Sequence, residues 1–391
     1  VKNLPGVAVR AEPAVAPVKT EGATHFRFEG AATVGVRLKQ VGAVALTGTR
    51  GDQPYFAASV APALRTVAAA GQDRAVFLLD TSLSSNPDRF NVWLKLLRAL
   101  LEKNQGTIKQ FAVAFFNAGV TWHERGWAEN SPASVEALLR RCEGLALEGA
   151  TDLGAALAAG AQPAWHQGSE RFDLFLLSDG ASTWGEGDAH ALSRLVRSSP
   201  RAGSLFAYTT GLAGTDTAML DHLARETGGA VFALASEQEV AATAVAHNQR
   251  PWRLKDVQVE GGSDLLLAGR PGVIFGGQRL QLVGRGAPKA GSRVAFTVEM
   301  NGQSEQVVVP IEQVVPSVAA SRLYGQVAVG QMEELLPANA EAARGYASHF
   351  RVTGQSASLL MLETEAEYER LTLSPAADAA AVAGRPAGAL V

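Results

Sequence analysis

Cysteine is nearly absent from this sequence: Cys142 is the only one in 391 residues. An internal disulfide is therefore impossible, and so is a zinc cluster built on thiolates. Charge of one sign is missing too. Lys and Arg number 35 against 38 Asp and Glu, a formal net charge of -3, and no block of like charges interrupts the chain. The long-range field that draws a protein onto nucleic acid or anionic lipid is lacking, so neither is expected as a partner. No apolar run approaches the ~20 residues of a membrane-spanning helix, so no span is expected in this segment. The chain opens on Val1 without a charged and then apolar leader, which reads as a start lying downstream of further sequence.

Glycine, by contrast, is abundant at 40 residues, and 47% of the chain is hydrophobic. That length and composition allow large cores and call for two or three domains. Residues 1–20 mix Pro, Ala and Val without periodicity and read as an extended lead-in. Short apolar stretches at His25–Phe28, Val34–Leu38, Ala43–Leu46 and Tyr55–Val60 predict strands at the end of a β domain spanning 21–70. From 71 to 247 the pattern alternates between continuous apolar strands and amphipathic helices, which implies a doubly wound, mainly parallel α/β sheet. Its strand candidates are Ala75–Leu79, Phe111–Phe116, Phe172–Leu177, Leu205–Tyr208 and Val231–Leu234, with the first expected near the middle. Pro87 fits the first turn of a helix whose Phe90, Trp93, Leu94, Leu97, Leu100 and Leu101 form one stripe. Helices are also predicted at Ser131–Cys142, Leu153–Ala159, Ala189–Val196 and Thr217–Glu226. Residues 248–316 read as a β-sandwich-like segment whose last strand is Gln306–Ile311. Residues 317–374 read as a helical segment, Ala319–Leu336 and Ala338–Phe350, plus a final strand at Ser358–Glu363, and 375–391 as an Ala/Gly/Pro linker. Neither β segment has enough strands to close a core alone, so the two are expected to combine into one composite unit.

Three loops of the α/β region carry the chemistry. The first strand ends in Asp80-Thr81-Ser82-Leu83-Ser84, another in Ser178-Asp179-Gly180, and Gly149-Ala150-Thr151-Asp152 opens a helix. Ligands of open α/β sheets gather at such carboxyl ends. Asp152 is read as a helix-start charge. The remaining set is oxygen-only, which suits Mg²⁺, with Mn²⁺ or Ca²⁺ as substitutes, and leaves a coordination position that an outside carboxylate can fill.

These residues resemble the von Willebrand factor type A domain and its metal-ion-dependent adhesion site, whose pattern is Asp-x-Ser-x-Ser, a distant Thr and a distant Asp. The resemblance implies that Asp80, Ser82, Ser84, Thr151 and Asp179 are the metal ligands. The family usually reads Asp-x-Ser-Gly-Ser-Met, whereas this chain has Leu83 and Ser85, and Gly tolerates backbone conformations that Leu does not. Residues 43–66 look like the closing segment of a vault protein inter-alpha-trypsin domain. Residues 256–285 and 344–369 are similar to the tail that follows the type A module in inter-alpha-trypsin-inhibitor heavy-chain-like and bacterial proteins.

Trp122, Trp127, Trp184 and Leu83 are the candidates for partner contact, the alternative for Trp122 and Trp127 being packing over a sheet edge. Cys142 fits a small buried hydrophobe. The expected function is a non-enzymatic, metal-dependent protein-binding module in adhesion, matrix or envelope assembly, extracellular, on the cell surface or periplasmic. Its partner would supply a carboxylate, or be another copy of this chain. The alternative is an intracellular scaffold or adaptor of a larger assembly, AAA+ or vault-like. A hydrolase using metal-bound water finds no nucleophile, general base or phosphate-cradling loop to support it. Replacing Asp80 or Asp179 by Ala is expected to weaken metal binding and leave the fold intact.

Overall fold

The computed structural model describes residues 8–12, 15–20, 23–27, 35–39, 43–69, 71–210, 214–234, 237–336, 338–358 and 369–370. The chain divides into two compact units, Val1–Val327 and Ala328–Val391. The first unit opens with four short strands, β1 (Ala8–Glu12), β2 (Val18–Thr20), β3 (Ala23–His25) and β4 (Gly35–Lys39), in which β1 pairs with β4 and β2 with β3. Parts of the expected lead-in are thus paired strands. A hairpin follows, β5 (Ala43–Arg50) and β6 (Gln53–Val60).

The α/β region then runs β7 (Arg74–Asp80), α1 (Pro87–Lys103), β8 (Gln110–Phe116), β9 (Val120–Trp122), β10 (Ala128–Glu129), α2 (Pro132–Glu143), α3 (Leu153–Ala161) and β11 (Phe172–Leu177). It continues with α4 (Ala189–Arg197), β12 (Ala202–Thr209), α5 (Thr217–Thr227), β13 (Val231–Ala233) and α6 (Glu237–Thr243). The strand order is β10-β8-β7-β11-β12-β13, with β9 also paired to β8, so β7 sits inside a seven-stranded sheet. β8, β7, β11, β12 and β13 are parallel, while β9 and β10 return antiparallel along β8. This is the expected doubly wound α/β fold.

Side chains alternate between the two faces of a strand, and β7 buries both sets. Phe77 and Leu79 join Trp93, Leu97 and Leu100 of α1 on one face, while Val76 and Leu78 join Leu157 of α3 and Leu192 of α4 on the other. Helix starts follow from their capping oxygens: Asn86, Ser131, Asp152, Asp188 and Asp216 each accept an N–H from the first turn of α1 to α5. Gly228, at φ 76°, closes α5 in the left-handed conformation. The chain leaves β7 for β8 on one side, and its next parallel strand, β11, is on the other. The loops after β7 and β11 therefore flank the point where strand order reverses, where such sheets leave a crevice.

After α6 come β14 (Trp252–Val259), β15 (Gly262–Leu267), β16 (Val273–Ile274), β17 (Leu280–Gly286), β18 (Arg293–Met300), β19 (Gln303–Pro316), α7 (Ala319–Glu333) and α8 (Ala340–Phe350). The early hairpin and the late strands form one eight-stranded sheet, β15-β17-β6-β5-β19-β18-β14-β16. β19 is longer than the predicted Gln306–Ile311. Its first part pairs antiparallel with β18, and from Ile311 on it pairs parallel with β5, with a register shift between Ile311 and Gln313. A strand that breaks register in this way can pass from one leaf of a sandwich to the other. Phe56, Leu282, Trp252 and Phe296 accordingly share one core.

The α/β domain is inserted between β6 and β14, and its two ends leave side by side. Ala69 N donates to Asn248 O at 2.9 Å, and Arg250 N to Val67 O at 2.7 Å. α7 begins in the first unit and ends in the second, where Ser356 N donates to the Glu333 carboxylate at 2.8 Å. Residues 359–363 of the predicted final strand, the linker at 375–391, and Phe28 and Val34 of the early strands lie outside the described residues.

Candidate metal centre

Asp80 is the last residue of β7 and is fully buried, so its carboxylate has to be held by protein donors. Ser82 N donates to Oδ1 at 2.9 Å and Ser178 Oγ to Oδ2 at 2.6 Å. Burial raises the Asp80 pKa above the ordinary carboxylate range. The bonds from Ser178 and Ser82 pull it back, and the negative charge of Asp179 adds to the rise. The hydroxyls of Ser82 and Ser84 lie 3.0 Å apart. Leu83 N donates to Gly149 O at 3.1 Å, and Thr183 N to Thr151 O at 3.0 Å, so the Thr151 loop is stitched to both others. Thr151 is buried, and its Oγ1 has no hydrogen-bond partner.

The structure thus joins Asp80, Ser82 and Ser84 through hydrogen bonds, links Asp179 to them through Arg89, which bonds both its carboxylate and Ser84 O, and ties the Thr151 loop to the segments on either side. An orphaned buried hydroxyl costs about 1–3 kcal/mol, and a hard cation is the partner that would relieve it. Asp80, Ser82, Ser84 and Thr151 therefore fit a divalent ion. Among the described residues no group of three or more His, Cys, Asp or Glu could hold a metal. A site here has to rest on two carboxylates plus hydroxyls.

Asp179 is differently engaged. Arg89, in the first turn of α1, donates Nη1 to Asp179 Oδ2 at 2.6 Å and to Ser84 O at 2.8 Å, with the two side chains 2% and 1% exposed. Sequence reasoning missed this pairing. Only the burial of Arg89 was signalled: it precedes Trp93, Leu97 and Leu100 at helical spacing, a charge on the buried stripe of α1. Ser178 was missed as well, and only its place directly before Asp179 marked it.

Residues 75–181 match the model of the von Willebrand factor type A domain. The α/β region carries a type A domain. The match includes none of the flanking β segments, so their inter-alpha-trypsin character stays a resemblance. Among solved structures, the chain is similar to a von Willebrand factor type A protein from Catenulispora acidiphila (13% identity, 80% of this chain and 83% of that one, TM-score 0.40). It is also similar to the ArnB paralog VWA2 from Sulfolobus acidocaldarius (14% identity, 88% of each chain, TM-score 0.33). A third is the pilus adhesin SpaC from Lactobacillus rhamnosus GG (11% identity, 66% of this chain and 46% of that one, TM-score 0.36). Comparison with curated proteins gives no match.

Leu83, which stands where type A domains usually have Gly, is not at positive φ; the loop places its positive φ at Asn86, 23°. The substitution therefore puts no strain on the backbone, and it leaves the Leu83 side chain 70% exposed on the crest of the loop. Trp184, on the loop after Asp179, is 64% exposed. Trp122 and Trp127 are half-buried, each edge-on to Trp165 at 5.2 and 5.3 Å. Trp127 also meets Phe172 and Arg74, the first residues of β11 and β7. It therefore marks the amino edge of the type A sheet, opposite Asp80 and Asp179. Packing, the alternative for these two tryptophans, accounts for their rings.

Proposed function

We propose that the chain is a non-enzymatic protein-binding module that grips its partner through a divalent cation at the carboxyl edge of the type A sheet. It would act in adhesion, matrix or envelope assembly, outside the cytoplasm. Asp80, Ser82, Ser84, Thr151 and Asp179 would hold Mg²⁺, or Mn²⁺ or Ca²⁺ in its place. The bound ion would supply an electrophilic point for a carboxylate of a protein partner or of a second copy of this chain. The observation that carries this reading is the buried, partnerless Thr151 hydroxyl on a loop tied to the loops of two neighbouring carboxylates, Asp80 and Asp179, at the switch point of the sheet. Leu83 and Trp184, exposed on two of the three loops, would supply apolar contact around the ion. Among the described residues no helix is long and apolar enough to cross a membrane.

The test is calorimetric titration of Mn²⁺ and Mg²⁺ into the wild type and Asp80→Ala, joined to binding of the immobilised chain to envelope proteins with and without EDTA. Asp80→Ala is expected to lose about 10-fold or more in metal affinity. Partner binding is expected to vanish in EDTA and return with Mg²⁺. Binding that is equal for both proteins in every condition refutes the proposal.

A further inference from the structure

The Asp179 carboxylate already has a cation. The Arg89 guanidinium reaches Oδ2 at 2.6 Å and Ser84 O at 2.8 Å, so one nitrogen bridges two of the three segments that carry the candidate ligands. The other carboxylate of the site, Asp80, is held by Ser178 and by Ser82, whose hydroxyl contacts Ser84. A divalent ion drawing on this set and on Asp179 would have to settle against a positive charge from which the surroundings exclude water. Charges repel far more strongly there than at a surface.

We propose that Arg89 is a tethered competitor for the metal: it neutralises Asp179 in the metal-free chain and must release it before a divalent ion gains this carboxylate. The inference rests on the metal reading above and adds a threshold to it. Divalent ions bind weakly as long as the arginine is seated, and binding moves Arg89 away from Asp179 and from Ser84. Two features make the device reversible. Arg89 sits in the first turn of α1, just after Asn86 at φ 23°. It is held at its far end by a carboxylate and a carbonyl, bonds that water can replace once the side chain swings out.

The experiment is calorimetric titration of Mn²⁺ into the full 391-residue chain and into Arg89→Gln. The second variant, Arg89→Met, keeps the length of the stem if Gln does not fold, and far-UV circular dichroism reports folding of each. Removing the guanidinium is expected to tighten Mn²⁺ binding by about 10-fold or more, the scale seen when groups that tune a metal site are changed. Equal or weaker Mn²⁺ binding by the folded variants overturns the competitor and leaves the metal reading standing. No Mn²⁺ binding by wild type or variants overturns the metal reading and this inference together.

Discussion

Asp179→Ala removes one half of an ion pair whose side chains are 2% and 1% exposed. The other half, the Arg89 guanidinium, would be left charged in the interior with Ser84 O as a remaining acceptor. Breaking a buried pair from one side costs about 3–5 kcal/mol, because an uncompensated charge stays behind. The retained bond to Ser84 places the expected loss near the lower end, about 3 kcal/mol. Removing both charges is different: Arg89→Met with Asp179→Leu keeps the volume filled and is expected to lie within about 1 kcal/mol of the wild type. Urea unfolding in EDTA, followed by tryptophan fluorescence, measures the wild type, Asp179→Ala and the double variant. A single Asp179→Ala change costing less than about 1 kcal/mol would refute the reasoning, since an interior ion pair cannot be halved so cheaply. The expectation that the fold stays intact without the Asp179 carboxylate is thereby joined by an expected loss of stability, since Asp179 also pairs with Arg89. That expectation considered the metal alone and did not see Arg89.

Two further outcomes follow from buried groups away from the site. His247 is buried against Phe175 with neither ring nitrogen hydrogen-bonded, and burial holds its pKa down to about 4 from the ordinary 6.5. As pH falls through 6.5 the unfolded chain takes up a proton that the folded one refuses until about 4. Stability is therefore lost across that window, by at most about 3 kcal/mol. His247→Phe is expected to flatten the slope in denaturant melts between pH 7 and pH 4.5, and an unchanged slope would place the titration elsewhere. Burial likewise pushes the Cys142 thiol up to about 12. A thiol reagent at pH 8 is expected to leave the native chain unlabelled and to label it fully in denaturant, whereas fast native labelling would take Cys142 out of the core.

The parallel sheet was legible because its strands are covered on both faces and so read as mainly apolar runs; Phe172–Leu177, interrupted only by Asp173, is the same span in sequence and structure. Ser131 and Asp152 declared their helices through side chains that act within three residues. β9 and β10 gave no such signal, being three and two residues long. The end of β19 escaped for another reason: Pro310 interrupts the donor pattern just before the strand changes partners, and the partner that rescues it, β5, lies far back in the chain. The candidate ligands could be read from their loops, since each is fixed by a local motif. The Arg89–Asp179 pair could not, because residues 90 positions apart meet only through the order of strands in the sheet.

The insertion of the type A domain between β6 and β14 also sets an order of events during synthesis. The β5–β6 hairpin leaves the ribosome with both outer edges open, and the neighbour that covers β6 begins at Leu280, about 220 residues after Val60. At about 5–20 residues per second that delay lasts roughly 10–40 s. During it, a strand bearing Tyr55 and Phe56 is exposed to pairing with other nascent chains. The wait ends only when the insert has folded and brought 67–69 beside 248–250. A substitution that unfolds the type A domain thus lowers the yield of a β domain none of whose residues it touches.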